Sequence, residues 1–595
     1  MTASDASVIG DEFWASIVAE LSRRAEADAR ESLGALVRRG IAEPWAMSSL
    51  DEAAYGFSHA LVREVAYSRL PRLERARRHL SAGRAIEERA GARASEHADL
   101  LARHFATSFE LALDAREPSI AEEAREPALR WVMAAADRAA PVDANRAFEL
   151  YDRAVALAPE GGRDRFLPLV RSGILGRRSG RLGAEAVLGR LDEALAVARA
   201  AGDVSLIGEA LTRVGSQLGA LGRTARSREL LAEAVRVLEK LPPGRALAGA
   251  YAYRAEEEMF AGHVRSSCEL AGRAIEILGD AQDELVVMAL HIRGDARCSE
   301  GDFGGLKDLR EALRLAEQAH STSDIVTSRN YLGEWLAALE GPAAAMREFE
   351  AAIELAERRG FSTAAQWAKA TAVGALFDLG DWDRTLLLCE ELLDAPEGRL
   401  DPTLSVQARV TRSTVALARR VGEVDDPDQV VATARNVEEL QALVPALVMG
   451  AAVAASRSDA ATARSLLEEF DAATRGVAEE YRDSRLADVA RTSVEIGAQD
   501  LLERILSTTE ARSRRDSLQL ETAGAVLAEA RRADDAAERF GRAAEGWLAF
   551  GVPYEEALAR LGRARVTRGA GGEPDPVDEA RAGELLAALG MPAGD

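Results

Sequence analysis

Apolar residues recur three or four positions apart along most of the chain, the spacing that lines one face of an α-helix. Strand-type alternation is scarce, so the pattern predicts helices almost throughout. Small residues interrupt it at fixed intervals. Within Asn330-Tyr331-Leu332-Gly333-Glu334-Trp335-Leu336, Gly333 is followed by Ala345, Phe349 and Ala352. Gly215 leads in the same way to Ser227, Leu231 and Ala234, Ala255 to Ser267, Ala271 and Ala274, and Gly524 to Ala536, Phe540 and Ala543. Gly294 leads to Gly305, Leu309 and Ala312, one residue short. A small residue on one helix lets a second helix approach, and the large residue between small ones fills the seam. The anchors Gly215, Ala255, Gly294, Gly333 and Gly374 lie 40, 39, 39 and 41 residues apart.

Small at the eighth and twentieth positions, large at the twenty-fourth and small at the twenty-seventh is the tetratricopeptide pattern, whose usual period is about 34. The longer period implies an extra helical turn or longer linkers. Gly301-Asp302, Gly341-Pro342 and Gly380-Asp381-Trp382 punctuate the repeats as helix stops and starts do. The expected fold is an all-α, tetratricopeptide-like solenoid over residues 121–590, roughly eleven helix pairs in a right-handed superhelix. The pattern weakens over 400–510, where Asp425-Asp426-Pro427-Asp428 marks an irregular connection. First helices are expected at about 206–221, 246–261, 285–300, 323–340 and 363–379. These line the concave side of such an array. Their polar residues Arg213, Gln217, Arg254, Glu258, Arg293, Arg297 and Arg329 are therefore the expected exposed, partner-binding positions.

The first 120 residues lack this phase. Helical patterns cover Glu12–Ala29 and Ala29–Arg39, and Gly40 to Pro44 breaks the second. Turn residues within Trp45–Phe57 predict a hairpin, followed by a helix over Ser58–Leu70 capped by Ser58. Residues 1–80 thus read as a winged-helix-like module and 81–120 as a helical connector. The run from Phe57-Ser58-His59-Ala60-Leu61-Val62-Arg63 to Ala66-Tyr67 is the most distinctive in the chain. Leu70-Pro71-Arg72 with Arg75, Arg77, Arg78 and His79 follows, and then Glu96-His97-Ala98-Asp99-Leu100-Leu101-Ala102-Arg103-His104-Phe105. This order resembles the C-terminal half of bacterial STAND-type signalling ATPases. In these an ATPase is followed by a winged helix and tetratricopeptide repeats, often fused to adenylate/guanylate cyclase or transcription-activator domains. The resemblance implies a sensor arm and a possible nucleotide-phosphate contact for His59 with a partner ATPase domain. Arg72, Arg75 and Arg78 are the candidates for a nucleic-acid alternative, since winged helices also grip DNA.

Charge narrows the choice. The net charge is −23 with pI near 5.0, which repels phosphate backbones and argues against wide nucleic-acid binding. Only Lys240, Lys307 and Lys369 are lysines, an arginine skew expected of GC-rich bacterial coding. None follows a glycine, so no phosphate loop of the G-x-x-x-x-G-K type exists. H-E-x-x-H and G-x-S-x-G are absent too. His97 and His104 share a helix face but lack further ligands, and Cys268, Cys298 and Cys389 form no C-x-x-C. The chain is therefore expected to be no enzyme, to hold no cofactor or metal, and to lie in the cytoplasm as a sensor or interaction module for protein or peptide partners. The alternatives are a DNA-binding regulator and a truncated piece of an ATP-binding cyclase.

Overall fold

A computed structural model describes residues 2–592 apart from 46, 47, 49, 51, 222, 280–282, 397–399, 438, 476–480, 483 and 484. By compactness the chain falls into two units, Met1–Leu175 and Gly176–Asp595, taken separately here.

The first unit opens with α1 (Thr2–Ile9), β1 (Glu12–Trp14), α2 (Ala15–Ser22) and α3 (Glu26–Arg38). Then come β2 (Ala42–Pro44), β3 (Ala54–Phe57), α4 (Ala60–Ser68), α5 (Arg72–Ala90), α6 (Ala98–Asp114), α7 (Pro118–Ala139) and α8 (Ala144–Leu157). The strands form one antiparallel sheet in the order β1-β3-β2. The helix expected over Glu12–Ala29 is thus a strand and a shorter helix. Phe13 and Trp14 pair with Tyr55 and Ala54, some forty residues on, a partner that local periodicity cannot reveal. Arg23 then ends α2 in the left-handed region at φ 52°, so α3 begins at Glu26 rather than Ala29. The hairpin forms, though part of its connection lies outside the described residues. Gly56 is needed in it, because a Cβ there would meet the Trp45 ring at 2.4 Å. His59, not Ser58, holds the N-cap of α4, and its side chain makes no capping bond.

A chain of hydrogen bonds runs through the core where α5 and α6 pack. Tyr67 Oη lies 3.0 Å from His79 Nε2, His79 Nδ1 lies 3.0 Å from His104 Nδ1, and His104 Nε2 lies 3.1 Å from the Ile9 carbonyl. The carbonyl only accepts, which fixes the neutral tautomers. His104 donates from Nε2, His79 donates from Nδ1 to His104, and Tyr67 donates to His79. Burial, with the charges of Arg103, Arg63 and Arg75, drives His79 down to about 3. Burial first, then His79 and Arg103, holds His104 well below the ordinary imidazole value.

Unfolded, both imidazoles would take protons near pH 6.5, and folded they do not. Their contribution is complete above that pH and is lost as pH falls towards 3, at a slope approaching about 3 kcal/mol per pH unit. Stability of this unit, followed by amide exchange in α5 and α6, should fall accordingly. Histidine ¹⁵N spectra should show both rings neutral at pH 5. A charged ring at pH 5 would contradict the tautomer chain.

The second unit takes in the end of α9 (Phe166–Arg178), α10 (Ala184–Ala201), α11 (Val204–Gly219), α12 (Thr224–Leu238), α13 (Arg245–Phe260), α14 (Val264–Leu278), α15 (Glu284–Ser299) and α16 (Gly305–Gln318). It continues with α17 (Thr322–Leu339), α18 (Pro342–Arg358), α19 (Ser362–Leu379), α20 (Trp382–Leu393), α21 (Pro402–Arg419), α22 (Pro427–Val437), α23 (Leu440–Ser456) and α24 (Ala460–Thr474). Its last helices are α25 (Leu486–Glu495), α26 (Gln499–Ser507), α27 (Arg514–Ala530), α28 (Ala536–Phe550), α29 (Pro553–Gly569) and α30 (Pro576–Ala588). The five expected first helices fall within two residues of α11, α13, α15, α17 and α19. No strand occurs among the described residues of this unit, and no described helix is long and apolar enough to cross a membrane.

The anchors act as the spacing implied. A Cβ on Gly294 would sit 2.9 Å from the Leu309 side chain, and one on Gly333 would sit 2.4 Å from the Phe349 ring. The fifth anchor is different. A Cβ on Gly374 meets nothing within 4 Å, whereas Val373 is buried with Cys389 and Leu392. Val373 stands twelve before Thr385 and sixteen before Cys389, as Gly333 stands before Ala345 and Phe349. The small partners Thr385 and Cys389 leave room for valine, conserving seam volume.

Each first helix touches the first helix of the next pair, while second helices make no comparable contact with one another. First helices therefore line the inside of a coil. The coil closes on itself after five pairs, since α9 meets α19, α17 meets α27 and α19 meets α29. Thr363 Oγ1 donates to the Arg177 carbonyl at 2.7 Å, Arg512 donates to the Ser299 carbonyl at 2.6 Å, and Arg515 forks onto Asp378 at 2.5 and 3.2 Å. C-terminal ends of one turn thus meet N-terminal ends of the next.

An array whose repeats touch only their neighbours melts broadly. These contacts should couple distant repeats, and Arg515→Ala should cost on the order of 2 kcal/mol by stranding Asp378. Amide exchange should then speed up in both 362–379 and 514–530. Acceleration in 514–530 alone would show that the turns are not coupled.

Candidate binding surface

An α-helix turns about 100° per residue, so the anchors fix the direction of every other side chain. The anchor faces the second helix of its own pair. One residue later points to the hollow of the coil, and one residue earlier points the opposite way. The positions after the anchors are Ser216, Glu256, Asp295, Glu334 and Gly374. A Cβ built on Gly374 would meet nothing within 4 Å, so this position is open. Three consecutive first helices therefore carry a carboxylate at one equivalent position.

Glu256 and Asp295 are half-buried and Glu334 is exposed, and few of these groups are paired. Asp295 accepts from Trp335 Nε1 at 2.7 Å. Glu256, Glu334 and the Tyr331 hydroxyl bond to no described side chain, although Tyr331 stacks on His291. Loss of bulk water pushes Glu256 up to about 7, opposed by Arg177 and raised further by Glu439. The same loss takes Asp295 to about 6, and the protein around the more exposed Glu334, with the Asp295 charge, raises its carboxyl too. Asp401, the N-cap of α21, rises to about 7 through desolvation and Glu439. Arg177 lies among Asp401, Glu256 and Tyr253, and its buried Nε donates to nothing described. Elsewhere in the unit arginines are commonly tied to carboxylates, as Arg412 is to Asp425 and Arg482 to Asp471.

The residues expected at the partner surface lie elsewhere. Arg213 and Gln217 are not exposed: they keep 7% and 6% of their surface, and Arg213 donates to Tyr253 Oη at 2.6 Å. Two residues either side of the anchor, they turn into the helix packing. Arg254 and Glu258 pair with each other at 3.7 Å, and Glu258 also meets His263 at 2.7 Å. Arg293 forks onto Asp308 of α16 at 2.9 Å, and Arg297 joins it at 3.0 Å. Arg329 is held by Glu348 and Glu317. Arg293 and Arg297, one before and three after their anchor, and Arg329, four before its own, thus brace first helices against second ones, whereas Arg254 and Glu258 pair within α13. The sequence signal for the inward ladder was the carboxylate one place past three successive anchors.

In the first unit, His59 is exposed. Arg72 is exposed as well, but Arg75 donates to the Leu70 and Ser68 carbonyls and lies over the Tyr67 ring at 4.5 Å. Arg78 donates to buried Asp5 at 2.8 Å and pairs with Glu74. The three arginines thus do not form one free basic patch.

No family model and no curated protein matches the chain. Among solved structures, one similar chain is a signal transduction ATPase with numerous domains and a tetratricopeptide repeat sensor from Pyrococcus horikoshii. It is 16% identical, at TM-score 0.41, over 71% of this chain and 60% of that one. This chain therefore spans less than two thirds of that protein's length. A Rap protein complexed with Competence and Sporulation Factor is 12% identical at TM-score 0.37, over 69% of this chain and 99% of that one. The APC/C Cut9–Hcn1 hetero-tetramer gives 12% at 0.46, over 88% and 97%. By its anchors, seams and inward-facing first helices, the chain is an all-α, tetratricopeptide-like solenoid.

Proposed function

We propose that this chain is a non-catalytic sensor and protein-interaction module of a bacterial signalling ATPase or cyclase system, capturing a protein or peptide partner in the hollow of its coil. The observation that carries this reading is the acidic lining at one repeated position of the first helices, where Glu256 and Glu334 bond to no described side chain. Charges left with few partners on a half-buried surface bind a complementary partner more strongly than fully solvated ones do. The first unit supports the sensor-arm part of the reading. Its order α1-β1-α2-α3-β2-β3 is compatible with a winged-helix reading, and its exposed His59 stands at the start of α4. The engaged Arg75 and Arg78 argue against the DNA-binding alternative.

A photo-crosslinking amino acid at position 374 reports on the hollow, and one at the exposed Arg310 of α16 reports on the outer face. In cells, position 374 should yield crosslinks to a partner polypeptide and position 310 should not. Crosslinks only from 310 would overturn the reading. The purified chain should also neither hydrolyse ATP nor form cyclic AMP, and turnover that follows the protein through chromatography would refute the non-catalytic assignment.

A further inference from the structure

We infer that the partner segment received by the hollow is a basic peptide with a lysine or arginine at every third residue, read by Glu256, Asp295 and Glu334. This rests on the hollow being the binding surface and names the chemistry it selects. The three carboxylates occupy the same position on α13, α15 and α17, which touch in sequence. Packed helices stand about 8–10 Å apart, so the carboxylates recur at about that interval. An extended polyproline-II segment advances about 3.1 Å per residue and returns to the same face every third residue, about 9 Å on. Cationic side chains at that spacing meet successive carboxylates without bending the peptide.

The charge balance agrees. Glu256, Asp295 and Glu334 act electrostatically on Tyr331, and Glu439 acts on Glu256 and Asp401, while Arg177 and Arg178 are the cations acting on Glu256 among the described residues. Arg177 offsets Glu256 and Asp401 only in part, since it makes no ion pair with a described residue and its buried Nε donates to nothing described. Trp335 and the Tyr331 ring, stacked on His291, supply aromatic surface beside the acids, where the cationic stems would lie. Ser216 and Gly374 bound the ladder on either side, so it reads three consecutive cations. The raised carboxyls of Glu256, Asp295 and Glu334 ionise as pH climbs from 6 towards 8, so the peptide should bind more tightly at pH 8 than at pH 6.

The test is fluorescence anisotropy on the full chain with a synthetic peptide carrying lysine at every third position, its glutamate counterpart, and spermidine. The lysine peptide should bind and the glutamate peptide should not. The triple variant Glu256→Gln, Asp295→Asn, Glu334→Gln should lose about tenfold to hundredfold in affinity with its circular dichroism unchanged. Gly374→Glu places a fourth carboxylate in open space on a helix, where glutamate is the better helix former. It should tighten a peptide with one more lysine by about two- to fivefold, so the test stands even if the triple variant misfolds. Failure of the unmodified chain to bind the lysine peptide, or unchanged affinity in a folded triple variant, overturns the inference. Equal binding of spermidine overturns the peptide in favour of a polyamine. Crosslinks from position 374 to a partner without clustered basic residues overturn it while leaving the hollow as the binding surface.

Discussion

The second unit depends on one close approach, repeated. At Gly294 and Gly333 the backbone of a first helix comes so near its partner that no side chain fits, and Leu309 or Phe349 occupies the space. That contact fixes the rotation of the first helix about its own axis. Once the rotation is fixed, every residue on the helix has an assigned direction at 100° per step. The inward ladder, the outer bracing arginines and the helix-to-helix contacts all follow from it. Val373 keeps the same geometry by moving bulk from the second helix to the first.

The division of charge follows from the same rotation. Side chains turned towards second helices meet carboxylates at hydrogen-bond distance, as Arg293 meets Asp308. Side chains turned inward meet few groups of opposite charge, Arg177 near Glu256 being one. In one direction charge supports packing, and in the other Glu256 and Glu334 make no ion pair with a described side chain. The buried His79–His104 pair of the first unit solves a related problem differently, staying neutral and using each ring nitrogen once.

Most of the repeat architecture could be read from the sequence, because small and large residues at fixed spacing record the seam directly. First-helix boundaries came within two residues for the same reason. The sheet of the first unit could not be read, since β1 owes its form to pairing with Tyr55 and Ala54 rather than to a local preference. The directions of the polar side chains were partly readable. Choosing residues by polarity alone selected Arg293 and Arg329, which are tied to second helices, and Arg213, which is buried. Counting from the anchors selects Glu256, Asp295 and Glu334. The fifth repeat misled by one residue because its glycine, Gly374, is the inward position and not the anchor.

The closure after five pairs constrains how such a chain can change over evolutionary time. An open array can gain or lose a repeat with only local consequences. Here the loss of one pair between α9 and α19 would bring a different helix opposite Thr363, and each later contact would shift with it. Arg515 would no longer face Asp378, nor Arg512 the Ser299 carbonyl. Repeat number in this coil is therefore inherited as a block, and variation is confined to what each position displays.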